Sequence, residues 1–227
     1  MGLSITKRRP LQFSVNIVWF QLYCNPSKIL LQNYPLHKMT NTNLQYNQTI
    51  DKSKDIFLKK VQDYGTAWRV LRTISVVDQI FIKALRIRTI QEKKMQLVAD
   101  DIGSEFMGII NYTVIGLIQL QLNNAQIEEL PVKQVTIAYD NQVAIAKKTM
   151  QEKNHDYGEA WRDMSQESFV DLILMKLLRI KQILLNDGKT LVSEGIDANY
   201  VDILNYAVFA LVLSEEIKKR FKIGIDL

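Results

Sequence analysis

Cysteine, proline, glycine and histidine are all scarce in this chain of 227 residues, and each scarcity removes a class of protein. There is one cysteine, Cys24, so no disulfide framework and no cysteine-rich zinc site can form within the chain. Only two histidines occur, His37 and His155, which excludes a histidine cluster and any HExxH zinc helix. No GxSxG, GxGxxG or phosphate-loop signature is present, so the common nucleophile-elbow, dinucleotide and P-loop chemistries lack their sequence basis. Four prolines and nine glycines are few, which suits long helices. Acidic residues are missing from one region: residues 1–38 hold Lys7, Arg8, Arg9, Lys28 and Lys38 but no Asp or Glu.

That local absence accounts for the net charge of +5. Beyond residue 38 the chain has 24 basic and 24 acidic residues. A balanced body offers no continuous phosphate-tracking surface, so a long nucleic-acid duplex is not the expected partner. Residues 1–38 also contain Cys24, Trp19 and an apolar run, Phe13 to Tyr23, after Lys7-Arg8-Arg9. The run resembles a secretory segment, but Asn16 and Gln21 interrupt it, no small-residue cleavage site follows, and it is too short to cross a bilayer. Residues 1–38 are therefore read as an extension outside the fold, with Met39 as the start of the functional protein. No membrane association is expected, and a lone cysteine fits a reducing cytoplasm.

What is present, unusually, occurs twice. Asp63-Tyr64-Gly65-Thr66-Ala67-Trp68-Arg69 returns 93 residues later as Asp156-Tyr157-Gly158-Glu159-Ala160-Trp161-Arg162, with six of seven positions identical. Such a match, including Tyr and Trp, marks a tandem duplication. The spacing assigns 44–122 to a first repeat, 123–135 to a linker and 136–222 to a second.

Each repeat reads as three helices. The first begins near Tyr46 and ends at Asp63-Tyr64-Gly65, where glycine can take a positive φ. A connection or short helical turn over Thr66–Thr73 follows. A second helix starts at Ser75, an expected N-cap with Asp78 as its partner, and carries apolar residues from Val76 to Ile90 at three-to-four spacing. A third, Ser104 to about Gln121, is apolar nearly all round and must be buried on more than one side. In the second repeat the helices are expected from Tyr139 to about His155, Ser168 to Asn186 and Ala198 to about Phe221. The predicted fold is all-α: a duplicated three-helix unit packed about a pseudo-two-fold axis, since such a unit cannot bury its last helix alone. Homodimerisation is compatible with this body.

Polar and aromatic positions persist between the copies while core aliphatics drift: Asp63/Asp156, Tyr64/Tyr157, Trp68/Trp161, Arg69/Arg162, Lys83/Lys176, Arg86/Arg179, Asn111/Asn205 and Tyr112/Tyr206. One reading is structural, with Asp capping helices, rings filling the core and Arg pairing with Asp. The other is a ligand pocket in each half: cations for phosphate, Trp or Tyr stacking on a planar ring, Asn reading its edge. The last helices add Asn199-x-x-Asp202-x-x-Asn205 and Glu105-x-x-Gly108-x-x-Asn111, which align as halves of one acid-x-x-acid-x-x-Asn pattern. A carboxylate in an apolar helix needs a paired cation or a metal ion. Asp202 and Glu105 are thus candidate metal ligands, and Asp202 and Asp156 are candidate catalytic carboxylates.

Lys-x-x-Asp-Tyr-Gly-x-x-Trp at Lys60–Trp68 and Lys153–Trp161, then a helix such as Asp78–Arg88, then Asn-Tyr, resembles the nucleotide modification associated domain, a helical family found in bacteria and phages and formerly known only as a domain of unknown function. The resemblance covers nearly all of 44–216, as two copies, and implies a link to nucleotides. Asp202-Ile203-Leu204-Asn205-Tyr206 is also similar to a metal-binding motif of the all-α MazG-like and dimeric dUTPase-like pyrophosphohydrolases, although no Glu-x-x-Glu precedes it. The expected function is binding of a nucleotide or similar phosphorylated small molecule. A Mg²⁺-dependent nucleotide pyrophosphohydrolase and a non-catalytic helical scaffold are the alternatives.

Overall fold

The computed structural model describes residues 36–97, 101–122 and 129–222. The expectations for residues 1–35 and for Asn123-Asn124 lie outside them. Among the described residues there are six α-helices, two short 3-10 turns and no strand. The first copy comprises α1 (Leu36–Tyr64), a 3-10 turn (Ala67–Val70), α2 (Thr73–Lys93) and α3 (Ile102–Leu122). The second comprises α4 (Val132–Tyr157), a 3-10 turn (Ala160–Asp163), α5 (Gln166–Leu185) and α6 (Ile196–Lys222).

Both first helices end as glycine dictates. Gly65 and Gly158 each take φ of +61°, and their amides donate to Val61 and Asn154 carbonyls at 2.9 and 3.0 Å. The N-termini differ from expectation. Helix α2 starts at Thr73, with Arg72 as its extended N-cap and no side-chain cap. Ser75 lies within the first turn, its amide donating to the Arg72 carbonyl, and Asp78 accepts from Lys181 of α5 at 2.7 Å instead of closing a capping box. In α5 the N-cap is Ser165, whose hydroxyl accepts from the Ser168 amide. Helix α4 begins at Val132, straight after Pro131. Helix α1 begins at Leu36, so the polar segment Thr40–Asn43 is helical and Thr42 is buried.

Helices α3 and α6 form the centre, packed on each other and respectively on α2 and α5. Their close approach needs Gly116, where a Cβ would sit 2.7 Å from the Tyr200 ring. Helix α6 is long and apolar enough to cross a membrane, but 78% of that stretch is buried by protein, as befits a central core helix. Helices α2 and α5 present the same buried stripe to the core: Val76, Val77, Ile80, Ala84 and Ile87 against Phe169, Val170, Ile173, Leu177 and Ile180.

The two copies exchange contacts reciprocally. The Tyr46 hydroxyl of copy one donates to Asn205 Oδ1 of copy two at 2.9 Å, and the Tyr139 hydroxyl of copy two donates to Asn111 Oδ1 of copy one at 2.9 Å. Asn111 Nδ2 donates to the Ser53 carbonyl, and Asn205 Nδ2 to the equivalent Ala146 carbonyl. Lys181 pairs with Asp78 while Arg88 pairs with Asp171. Each pair maps onto its mate under the 93/94-residue offset, which is what a pseudo-two-fold axis between the repeats requires.

Candidate functional site

The repeated motif builds a cleft in the first copy. The last two turns of α1 contribute Phe57, Lys60, Val61 and Tyr64, and Gly65 turns the chain so that Trp68 of the 3-10 segment closes one side. Helix α2 supplies Lys83, and α3 supplies Ser104, Glu105, Gly108, Asn111, Tyr112 and Ile115. The enclosed space is about 520 Å³. Lys60 and Tyr64 lie one turn apart on the same face of α1. Lys60 is exposed and has no ion-pair partner among the described residues. Phe57 and Trp68 pack at 6.5 Å between ring centroids. On the opposite wall Lys83 and Arg86 hold the buried Glu105 carboxylate at 3.0 and 2.5 Å.

In the second copy the matching lysines and tryptophan contact side chains of α6. Asp202 stands where copy one has Gly108, and its two oxygens bind Lys153 and Lys176, each at 2.6 Å. Trp161 stacks on Phe209, the counterpart of Ile115, with centroids 4.1 Å apart and planes within 4°. The Tyr206 hydroxyl beside this ion pair is pushed up to about 12, first by burial and then by the Asp202 charge. Burial likewise raises the Tyr46, Tyr139 and Tyr200 hydroxyls beyond the ordinary phenol range.

The residues singled out from sequence thus divide. Tyr64, Trp68, Lys83, Glu105, Asn111 and Tyr112 line the cleft. Asn111 and Asn205, however, spend their amides on backbone carbonyls and the crossing tyrosines. Arg86 backs the wall through Glu105. Asp63 is exposed, and Asp156 is exposed beside His155 at 3.1 Å. Arg69 is buried and bonded to Gln119. Arg162 lies over Trp161 and ties together Glu159, Glu216, Gln45 and Thr42, anchoring the start of α1 to copy two. Glu159 is held at φ +58°, a left-handed conformation costly for a residue with a Cβ, by bonds from Thr42 and Arg162. Tyr157 and Arg179 are exposed, while Tyr206 is half-buried beside Asp202.

The carboxylates offered as metal ligands are not brought together. Glu105 and Asp202 belong to different copies, and each is neutralised by two cations of its own copy. Among the described residues no group of three or more His, Cys, Asp or Glu is placed to hold a metal ion. The donor set does not fit Mg²⁺, which needs carboxylate oxygens free to ligate.

Sequence reasoning left Lys60, Lys153, Gly108 and Phe209 out of the candidate site. The lysines carried a usable signal, since both open the repeated motif 93 residues apart. Gly108 was noticed only as a missing acid, and the Ile115/Phe209 difference looks like ordinary core drift.

No curated protein and no solved structure matches this chain, and no comparison supports the likeness to MazG-like pyrophosphohydrolases. A family model, Nucleotide modification associated domain 1, matches twice, over residues 60–120 and 153–213. Each match opens on the motif lysine, Lys60 or Lys153, and spans the turn tryptophan and the two helices that follow. Together the two matches cover more than half of the chain, which belongs to the nucleotide modification associated domain 1 family and carries the domain as a tandem pair.

Proposed function

We propose that the cleft of the first copy binds an anionic small molecule bearing a planar ring, of the nucleotide class. The observation that carries this reading is the convergence of Lys60 and Lys83 with Tyr64, Trp68 and Tyr112 around one space of about 520 Å³. That volume lies within the range of small-molecule sites, roughly 300–1,000 Å³. Lys60 brings a charge with no carboxylate of its own among the described residues, and Lys83 brings a second, already steered by Glu105. Ammonium groups suit phosphate oxygens, and the indole face of Trp68 suits a base. The Ser104 hydroxyl on the same wall offers a further hydrogen bond.

Thermal-shift screening with nucleoside mono-, di- and triphosphates, with and without Mg²⁺, tests the reading. A ligand at a hundredfold excess over its Kd adds about 2.7 kcal/mol of apparent stability. Lys60→Ala should remove most of that shift and leave the unliganded melting temperature unchanged, because the side chain is exposed. Absence of a shift with every nucleotide contradicts the reading and favours a helical scaffold. Release of phosphate or pyrophosphate during the screen would favour the hydrolase.

A further inference from the structure

We infer that Asp202 and Phe209 are internal stand-ins for the ligand: the carboxylate occupies the position of its anionic group and the phenyl ring the position of its planar ring. This rests on the binding reading above and adds where each part of the ligand sits. The register between the copies is fixed independently by the reciprocal Tyr46–Asn205 and Tyr139–Asn111 bonds. Under it, Lys153, Trp161 and Lys176 match Lys60, Trp68 and Lys83. The two lysines and the indole are therefore the same in both copies. What stands against them differs, and Glu105, which pairs with Lys83 and Arg86 in copy one, is Asn199 in copy two.

In copy two one carboxylate bridges the two lysines, and a ring lies parallel to the indole. In copy one the same two positions are Gly108 and Ile115, both on the cleft wall. Asp202 and Phe209 are seven residues apart, two turns along one helical face, so their anchors are separated by about 10 Å. A ligand that replaces them needs an anionic group, a ring and a spacer of that order, as in a nucleotide. Asp202 is only 8% exposed and is paired on both sides, so the two lysines of copy two already hold the chain's own anion. One chain then binds one ligand, in copy one.

The test uses inorganic phosphate and the four ribonucleoside 5′-monophosphates with the full chain. Asp202→Ala should lower the melting temperature in chloride buffer and recover in phosphate at equal ionic strength, by more than phosphate shifts the wild type. Gly108→Asp should insert a carboxylate between Lys60 and Lys83 and weaken monophosphate binding roughly tenfold or more. The atoms nearest a Cβ at this position are the flexible end of Lys83, which can shift. If Asp202→Ala is equally destabilised in both buffers, or if the wild type binds a monophosphate and Gly108→Asp binds it as tightly, the stand-in assignment is wrong. If phosphate rescues Asp202→Ala while the wild type binds none of the monophosphates, the nucleotide reading falls and the anion position stands. Should Asp202→Ala not fold in either buffer, the Gly108→Asp titration decides.

Discussion

Lys60 is the side chain whose removal asks most about binding and least about folding. It is exposed, it opens the family match, and it faces the cleft, whereas Lys83 and Arg86 also hold a buried carboxylate. The crossing tyrosines ask the opposite question. Tyr46→Phe removes a donor from the buried Asn205 oxygen and Tyr139→Phe one from the part-buried Asn111 oxygen, and each should cost about 1–2 kcal/mol in urea unfolding. The phenols also set an alkaline limit. The Tyr206 hydroxyl is raised to about 12, and a raised phenol gives stability that is complete below its unfolded value near 10 and lost as pH climbs through the folded one. Unfolding midpoints should hold up to about pH 10 and then fall towards 12, at up to ~1.4 kcal/mol per pH unit for each such group. Stability unchanged up to pH 12 would contradict the burial of these rings.

Among the elements, the glycine breaks show how local chemistry and distant contacts share the work. Gly65 and Gly158 adopt the same left-handed conformation, so alanine at either should cost about 1 kcal/mol. The two should cost alike in thermal unfolding, because nothing lies within 4 Å of a Cβ at Gly158 and one at Gly65 meets only the exposed Glu129 carboxylate, which can swing aside. These breaks were legible in the sequence because they depend on a few adjacent residues. So was the buried stripe of α2 and α5, which follows helical periodicity. Helix starts were not. Helix α1 extends back to Leu36, and Thr42 and Gln45 in its early turns are bonded by Glu159 and Arg162, residues more than 110 positions away. No propensity within Thr40–Asn43 encodes that anchor. Ser75 and Asp78 fit a capping box locally, but Asp78 faces Lys181 across the α2–α5 contact.

For the whole molecule, the duplication was visible in a seven-residue match, and the fold it implies is the one found. What the match could not convey is that the copies have diverged in occupancy. Identical lysines and tryptophans suggest a pocket in each half, yet in the second Asp202 for Gly108 binds both lysines and Phe209 for Ile115 stacks on the indole. The reciprocal packing also makes each half depend on the other. Helices α3 and α6 bury their faces mutually, so residues 36–128 expressed alone should lack a cooperative thermal transition, and a sharp transition would contradict this interdependence.

A calorimetric titration of the full chain with ribonucleoside 5′-monophosphates counts the ligands bound per chain. One is expected, abolished by Lys60→Ala and retained in Lys153→Ala. None bound, two bound, or equal loss in both variants would overturn the assignment of binding to the first copy.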